Sequence, residues 1–338
     1  MGRGRVIGGC ETIDGEVEQK PIIRSLVRRF HRDLNRMITA SPDHALEEAQ
    51  VESLDRARRE FAEKIRTTAG LRSETLVRAF ASVPREDFVG PGPWKVLRPQ
   101  DVRRYEATPD ADPRHLYEDV LVALDASRNL NNGQPSGLAR WLDSLDLAPG
   151  DRVFHIGCGV GYYTAIAAEA VTPGGRVVGV EVDPELAGRA RRNLIPWPSA
   201  TVVCADGCGF EAEPFDVIFA NAGATEVLPR WLDQLRDGGR LLVPLTVGVP
   251  MPNVGLGHML LVVRRAGVYT ARFTSPVGIF HCSGARTTEG NDLLNRAYQM
   301  GDLQDVRSLR RDDHPWGPLC WLHGRRFCLS RLAVETCS

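Results

Sequence analysis

A turn with three glycines follows an apolar segment near the middle of the 338-residue chain. The stretch VFHIGCGVGYYTA, residues 153–165, places Gly157, Gly159 and Gly161 at alternate positions. Glycine carries no Cβ and tolerates positive φ, so a ligand can approach the main chain closely here. Backbone N–H groups at the start of the following helix then offer hydrogen bonds to a polar or anionic group. The pattern predicts a ligand site at this turn.

Two acidic residues near the ends of the next predicted strands narrow the choice of ligand. Glu181 ends the stretch VGVE, and a carboxylate about twenty residues beyond the turn can accept hydrogen bonds from both hydroxyls of a ribose. Asp206, in CADG, can accept one from the exocyclic amine of an adenine. For aspartates after strands, such as Asp183 and Asp206, helix capping is the alternative role.

The glycine pattern itself disfavours a dinucleotide. The phosphate-binding fingerprint is G-x-G-x-x-G, and this chain has Tyr162 and Tyr163 where the third glycine is expected. A ribose and an adenine without a pyrophosphate together indicate S-adenosyl-L-methionine as the ligand.

Strands and helices alternate from about residue 136 onward, which predicts a parallel, doubly wound α/β sheet. The predicted strands are 152–156, 176–182, 200–205, 215–221 and 239–245, followed by a terminal hairpin. The predicted helices between them are 136–147, 162–171, 184–194 and the segment EVLPRWLDQLR. Because ligands gather at the carboxyl ends of parallel strands, this arrangement places the glycine turn in the site.

The flanks of this region have a different character. Residues 1–20 are predicted to be disordered, and helical spacing of apolar residues predicts helices within 21–38, 44–66 and 73–90. A connector rich in Pro, Gly and Arg covers 90–115, and the tail, 282–338, gives no clear pattern.

Composition excludes several classes of protein. The 42 basic and 43 acidic residues give a net charge of −1, so the overall basic charge of a nucleic-acid binder is missing. Eight cysteines are present without a C-x-x-C pair, so no metal site is expected. No apolar run is long enough for a membrane span, and no secretory leader is evident, so a reducing cytoplasm is expected.

Several stretches, in the right order, resemble the protein-L-isoaspartyl O-methyltransferases. LVRAFASVPREDFVGP is similar to the family's V-P-R-E-x-F-V signature, and LYED (116–119) to its Y-x-D segment. LAPGDRVFHIGCGVGYYTAIAA resembles its glycine motif, and 214–245, with D-G-G-R-L, its fourth and fifth strands. The resemblance covers about 70–282, over half of the chain.

The resemblance implies a doubly wound, seven-stranded, Rossmann-like class I methyltransferase sheet with S-adenosyl-L-methionine as cofactor. It implies four regions: a start with a helical extension (1–70), family-type helices and the acceptor loop (71–135), the cofactor-binding core (136–281) and a C-terminal extension (282–338). The expected cofactor-binding residues are Gln134, His155, Gly157, Cys158, Gly159, Gly161, Tyr162, Glu181, Val182, Asp206, Gly207 and Asn221.

Two departures from the family pattern stand out. His155 occupies a position where the family usually has an acid, and it either bonds the glycine turn or is a buried structural histidine. The family's acceptor loop resembles T-I-S-Q-P, whereas this chain has NNGQP, with Gly133 in place of the serine. The cofactor half of the site is therefore expected to be retained and the acceptor half altered.

The altered acceptor half leaves the reaction open. A carboxylate needs no general base, whereas a hydroxyl, amine or indole acceptor often does. The candidate acceptor-side residues are Tyr117, Glu118, Asp119, Asn132 and His281, each with an equally plausible structural role. Trp316 and Trp321 in the tail could line an aromatic or peptide acceptor, although core packing is the commoner role.

The sequence thus predicts a methyltransferase for a dedicated small molecule or peptide in specialised metabolism, with an indole, another aromatic group or a carboxylate as acceptor. Repair of isoaspartyl residues in proteins is the first alternative. A non-catalytic cofactor-binding adaptor is the second. Neither nucleic acid nor membrane is an expected partner, and the oligomeric state is left open, a homodimer included.

Overall fold

The computed structural model describes residues 42–98 and 101–334. By contacts the chain divides into two units, Met1–Ser53 and Leu54–Ser338. The first predicted segments, a disordered start at 1–20 and a helix within 21–38, lie outside the described residues. The site is formed within the second unit.

Helices begin where the sequence offers caps. The Ser73 side chain accepts a hydrogen bond from the Leu76 backbone N–H, and Asp183 accepts from Glu185 and Leu186. The helices are α1 (Pro42–Ala69), α2 (Glu74–Ser82), α3 (Glu86–Val89), α4 (Pro135–Ser144), α5 (Tyr162–Ala170), α6 (Pro184–Asn193), α7 (Pro229–Asp233) and α8 (Thr288–Met300). The predicted helix EVLPRWLDQLR is confined to α7, because Leu235 already begins a long strand.

A small antiparallel sheet precedes the core. Its order is β2-β1-β3-β4, with β1 (Lys95–Arg98), β2 (Asp101–Ala107), β3 (Leu121–Asp125) and β4 (Leu130–Asn131). The predicted connector over 90–115 therefore contains two strands, β1 and β2, that the sequence did not indicate. Their sequences, KVLR and DVRRYEA, are short and charged, so the apolar alternation that marks a strand is weak.

The main sheet has ten strands in the order β13-β14-β12-β11-β10-β9-β8-β5-β6-β7. Strands β5 to β8 and the start of β9 are parallel, and the remaining pairs are antiparallel. The strands are β5 (Arg152–Ile156), β6 (Arg176–Glu181), β7 (Ala200–Cys204), β8 (Phe215–Ala220), β9 (Leu235–Gly248), β10 (Val254–Arg265), β11 (Val268–Phe280), β12 (Ser308–Arg310), β13 (Cys320–His323) and β14 (Cys328–Ser330). The predicted doubly wound α/β class is confirmed.

The expected count of seven strands holds for β5 to β11 only. The tail adds β12, β13 and β14 to the same sheet at its β11 edge. Each of these strands has three or four residues, too few to show a periodicity in the sequence.

Apolar side chains fill both faces of the main sheet. Neighbouring residues of β5, Val153 and Phe154, belong to two different buried clusters, as expected for side chains that alternate across a strand. The first cluster contains residues of α2, α4 and α5, and the second contains residues of α7, α8 and the tail. Because β5 to β8 are parallel, their carboxyl ends meet at one edge of the sheet between these clusters.

Candidate cofactor and acceptor site

The glycine turn after β5 is anchored to the neighbouring strand. The backbone nitrogens of Gly157 and Cys158 both donate to the Val180 carbonyl, at 2.9 and 3.0 Å. Gly161 has φ 93°, and a Cβ there would lie 2.9 Å from the Leu194 side chain. The turn therefore requires glycine at 161 for both conformation and space.

Glu181 is held against this turn. Its carboxylate is buried, with 7% of the residue exposed, and accepts hydrogen bonds from the Gly159 N–H at 2.8 Å and the Asp183 N–H at 3.1 Å. Within the described part of the chain, no Lys or Arg pairs with it. Two backbone donors use only part of the acceptor capacity of a carboxylate. The remaining capacity suits the diol of a ribose.

The residues beside Glu181 fit a flat apolar ring. Val182, the residue after β6, is 62% exposed, although a valine is usually buried. Asp206 is exposed after β7, and its carboxylate accepts the Cys208 N–H at 2.9 Å. A turn rather than a helix follows it, so it is not a helix cap here. Gly207 has no room for a side chain, since a Cβ would come within 2.6 Å of Ile156.

His155 is a fully buried residue that positions Asn221. Its Nδ1 donates to Thr164 Oγ1 at 2.9 Å, and its Nε2 accepts from Asn221 Nδ2 at 2.9 Å. Burial lowers the pKa of His155 to about 3, so the ring is neutral. This geometry gives His155 the structural role and leaves no surface for direct contact with a ligand. Asn221 Oδ1 is buried without a partner among the described residues, which leaves an acceptor at the end of β8.

The Tyr162 side chain faces away from the turn. It is 1% exposed and packs edge-on against Phe80 and Phe88, with ring centroids 6.4 and 5.4 Å apart. Only its backbone, at the first position of α5, faces the glycine turn. Its neighbour Tyr163 lies close to the acceptor loop, with its hydroxyl 3.4 Å from the Gly133 carbonyl oxygen.

Asp119 holds the acceptor loop in place. Its two oxygens accept from the Ser136 N–H at 2.8 Å, the Ser136 hydroxyl at 2.7 Å and Gln134 Nε2 at 2.9 Å. Gln134 is thus bound to Asp119 in this structure. Asn132 is buried, and its Nδ2 has no hydrogen-bond partner in the part of the chain that the structure describes. An unpaired amide donor at this loop suits an anionic acceptor group.

Two other candidate acceptor-side residues, Tyr117 and Glu118, are paired with side chains of other segments. The Tyr117 hydroxyl is bound to Glu86 and Arg58, and burial together with the Glu86 charge raises its pKa. Glu118 forms an exposed ion pair with Lys64 at 3.0 Å. Both side chains are therefore engaged with other residues in this structure.

His281 directly follows β11 and pairs with Gly223, two residues beyond Asn221. Its Nε2 is buried without a partner among the described residues, and burial and Arg286 lower its pKa. It therefore lies at the carboxyl edge of the sheet as a neutral side chain.

The tail makes contacts that the sequence did not predict. A Cβ on Gly284 would lie 2.5 Å from the Asp206 carboxylate, so the segment after β11 packs on this residue. Trp321 is buried and packs on Phe273, which corrects its proposed role as a pocket wall, whereas Trp316 is 66% exposed. Four ligand-type side chains of the tail also converge: His314, Cys320, His323 and Cys328. No single sequence signal marks these contacts.

A doubly wound sheet with a glycine turn after β5 and a buried acid at the end of β6 defines a Rossmann-like class I methyltransferase. Residues 97–251 match the family model of protein-L-isoaspartate(D-aspartate) O-methyltransferase. The chain is 34% identical over 195 residues to the protein-L-isoaspartate O-methyltransferase of Methanopyrus kandleri, covering 56% of this chain and 77% of that protein. It is 33% identical over 234 residues to the Hyperthermus butylicus enzyme, covering 65% of this chain and 86% of that protein.

The fold agrees with this match. A Plasmodium falciparum protein assigned to the same methyltransferases, solved in complex with S-adenosyl-L-homocysteine, superposes with a TM-score of 0.51 at 16% identity, covering 67% of this chain and 97% of that chain. The chain belongs to the protein-L-isoaspartate O-methyltransferase family and is an S-adenosyl-L-methionine-dependent methyltransferase. The predicted family, fold class, enzyme class and cofactor are confirmed. The roles of individual site residues remain predictions.

One further property concerns membranes. Among the described residues, the structure contains no helix that is both long and apolar enough to cross a bilayer.

Proposed function

We propose that the protein methylates a carboxylate of a peptide or protein, with an isoaspartyl carboxylate as the first candidate. The observation that carries this proposal is that the acidic and phenolic groups beside the acceptor loop are already engaged. Asp119 is bound by Gln134 and Ser136, and Tyr117 is bound to Glu86. A carboxylate is an anion near pH 7 and needs no base to become an acceptor.

The residues that would hold the cofactor are those at the carboxyl ends of four parallel strands. Glu181 would accept from the ribose hydroxyls, Val182 would pack on the adenine, and Asp206 would accept from its amine. Gly159 leaves open space where a Cβ would stand, so the cofactor could approach the backbone there. When bound, S-adenosyl-L-methionine supplies an electrophilic methyl group to a nucleophile that the protein positions.

The acceptor loop would position the substrate. The Asn132 amide nitrogen is buried and unpaired among the described residues, and a local shift that exposes it would let it donate to a carboxylate oxygen. Asp119 anchors the same loop through Ser136. Donor groups without a base favour an anionic acceptor over a hydroxyl or an indole.

The comparisons support isoaspartyl methylation more than a dedicated acceptor in specialised metabolism. The relatives from Methanopyrus kandleri and Hyperthermus butylicus bear the name protein-L-isoaspartate O-methyltransferase. Isoaspartyl methylation, the first alternative from the sequence, is therefore favoured, and specialised metabolism receives no support from these relatives. Family membership also favours an enzyme over the non-catalytic adaptor.

A dedicated peptide acceptor is the second candidate, and the backbone of the acceptor loop favours it. Gly133 has φ 75°, and a Cβ there would lie 3.0 Å from the Leu138 side chain. The serine of the family's loop would be strained in this conformation. The tail strands β12 to β14 also lie outside the residues that match the family model. Both features would restrict the acceptor.

The test is methyl transfer from radiolabelled S-adenosyl-L-methionine to a pair of peptides that differ only in one isoaspartyl or aspartyl residue. The full chain should produce a base-labile methyl ester on the isoaspartyl peptide, and Glu181→Gln should abolish most of it. Base-stable methyl groups as the only product would overturn a carboxylate acceptor. Cofactor binding without turnover of either peptide would leave the dedicated acceptor as the better proposal.

A further inference from the structure

Four side chains of the tail bring nitrogen and sulfur atoms to one place. The residues are His314, Cys320, His323 and Cys328, and one ligand atom from each lies within 4.8 Å of all the others. His314 follows β12, Cys320 and His323 begin and end β13, and Cys328 begins β14. The set is therefore assembled by the strand order rather than by one continuous motif. Cys320 and Cys328 are both buried free thiols.

The strand register accounts for the convergence. His323 and Cys328 are direct partners across the antiparallel pair of β13 and β14, and Arg310 of β12 is the partner of Cys328 on the other side. A turn in which the Gly324 N–H donates to the Phe327 carbonyl closes this hairpin. Partners across antiparallel strands have Cβ atoms about 5 Å apart, so their side chains can reach the same bound ion.

The distance between one nitrogen and one sulfur of this set fits tetrahedral coordination of a zinc ion. His314 Nε2 lies 3.6 Å from Cys320 Sγ. With Zn–N bonds of about 2.05 Å and Zn–S bonds of about 2.3 Å at tetrahedral angles, a nitrogen and a sulfur ligand are about 3.6 Å apart. A single S–H···N hydrogen bond would explain this one contact, but it would not explain four ligand atoms in one cluster.

The surroundings of both histidines support a metal. His314 Nδ1 donates to the Asp312 carbonyl oxygen at 2.9 Å, which fixes the ring and directs Nε2 at the cluster. Asp312 is itself paired with Arg310. His323 Nδ1 is buried without a hydrogen-bond partner in the described part of the chain. A buried unpaired imidazole nitrogen is costly, and its coordination to a metal would remove that cost.

We propose that His314, Cys320, His323 and Cys328 bind a structural zinc ion. Two thiolates and two imidazoles in a tetrahedral arrangement are typical of zinc, and a full set of four protein ligands leaves no position for a substrate. On binding, both thiols release their protons to solvent, and the two thiolates balance the charge of Zn²⁺. The ion fastens three strands of three or four residues to the edge of the main sheet.

The proposal is tested on the full chain, purified without a histidine tag under reducing conditions. Elemental analysis should give about one zinc ion per chain. Replacement by Co²⁺ should give the visible absorption of tetrahedral cobalt with thiolate charge transfer. Cys328→Ser and His323→Gln should each lower zinc content at least tenfold. Cys204→Ser, at an exposed cysteine away from the cluster, is the matched control and should keep its zinc.

A second measurement covers variants that fail to fold. In the wild-type chain, the thiols of Cys320 and Cys328 should react with an alkylating reagent only after a chelator removes the metal. The proposal is overturned if the folded wild-type chain takes up neither Zn²⁺ nor Co²⁺. A disulfide between Cys320 and Cys328 in freshly reduced and repurified protein would also overturn it.

Discussion

Glu181 accepts a hydrogen bond from the backbone N–H of Gly159 at 2.8 Å, across 22 residues of sequence. The contact joins the end of β6 to the glycine turn that follows β5, so one carboxylate fixes the turn and faces the proposed ribose position. The pair was expected to act on one ligand, and the structure places them in direct contact.

Glu181→Gln should weaken S-adenosyl-L-methionine binding by about 10- to 100-fold, because hydrogen bonds to a charged group contribute about 1.5–3 kcal/mol. Glutamine keeps the size of the side chain but loses the charge and one of two acceptor oxygens. Isothermal titration calorimetry with the cofactor measures the effect. Glu185→Gln, at an exposed position in the first turn of α6, is the control and should bind as the wild type does. Unchanged affinity in Glu181→Gln would refute the proposed ribose contact.

Asp119→Asn should impair the acceptor half of the site alone. The amide replaces one acceptor oxygen by a donor, which then opposes the donors of Gln134 or Ser136. We expect kcat/KM for the peptide to fall about 10- to 100-fold as the loop loses its position, with cofactor affinity retained.

Glu118, next to Asp119 in the chain, supplies the control for the Asp119→Asn prediction. Glu118→Gln breaks only an exposed ion pair with Lys64, and such pairs contribute little. Its kinetics should stay within about twofold of the wild type. Equal losses in Asp119→Asn and Glu118→Gln would show that the loop contacts are not specific. A loss of cofactor affinity in Asp119→Asn would assign Asp119 to the other half of the site.

His155 should make the free energy of unfolding depend on pH. Burial lowers its pKa to about 3 in the folded chain, against about 6.5 when unfolded, so only the unfolded chain takes up the proton between these values. Stability is therefore lost as the pH falls through 6.5, by about 2 kcal/mol at pH 5. Denaturant unfolding at pH 7.5 and pH 5 measures the change.

The matched variant for this prediction removes the His155 ring. His155→Gln should be less stable at both pH values but should lose less stability on acidification than the wild type. If His155→Gln and the wild type have the same pH dependence, His155 is not the group responsible.

The core of the fold could be predicted because its signals are local. The apolar run RVFHI predicts β5 with the observed bounds, and the glycine turn follows it directly. The acids Glu181 and Asp206 come at the ends of recognisable strands. Their common position then follows from parallel topology alone.

The remaining features depend on contacts between distant segments. The metal-ligand set joins His314 to Cys328 through strands of three or four residues, so neither spacing nor periodicity reveals it. The engagement of Tyr117 depends on Glu86 and Arg58, which lie 31 and 59 residues away. A sequence shows that such residues exist but does not show which of them have partners.

Gly133→Ser should restore the family's residue and still impair the protein. Gly133 has φ 75°, and a Cβ there would stand 3.0 Å from the Leu138 side chain, so the serine would be strained and would shift the loop. We expect a loss of about 1–2 kcal/mol in the free energy of unfolding and a higher KM for the acceptor peptide. Gly137→Ala, inside α4, is the control and should gain up to about 1 kcal/mol, because alanine favours helix. Thermal unfolding measures the stability of both variants, and methyl transfer to an isoaspartyl peptide measures their turnover. A Gly133→Ser chain that is as stable as the wild type and turns over this peptide faster would show that the loop can adopt the family's conformation.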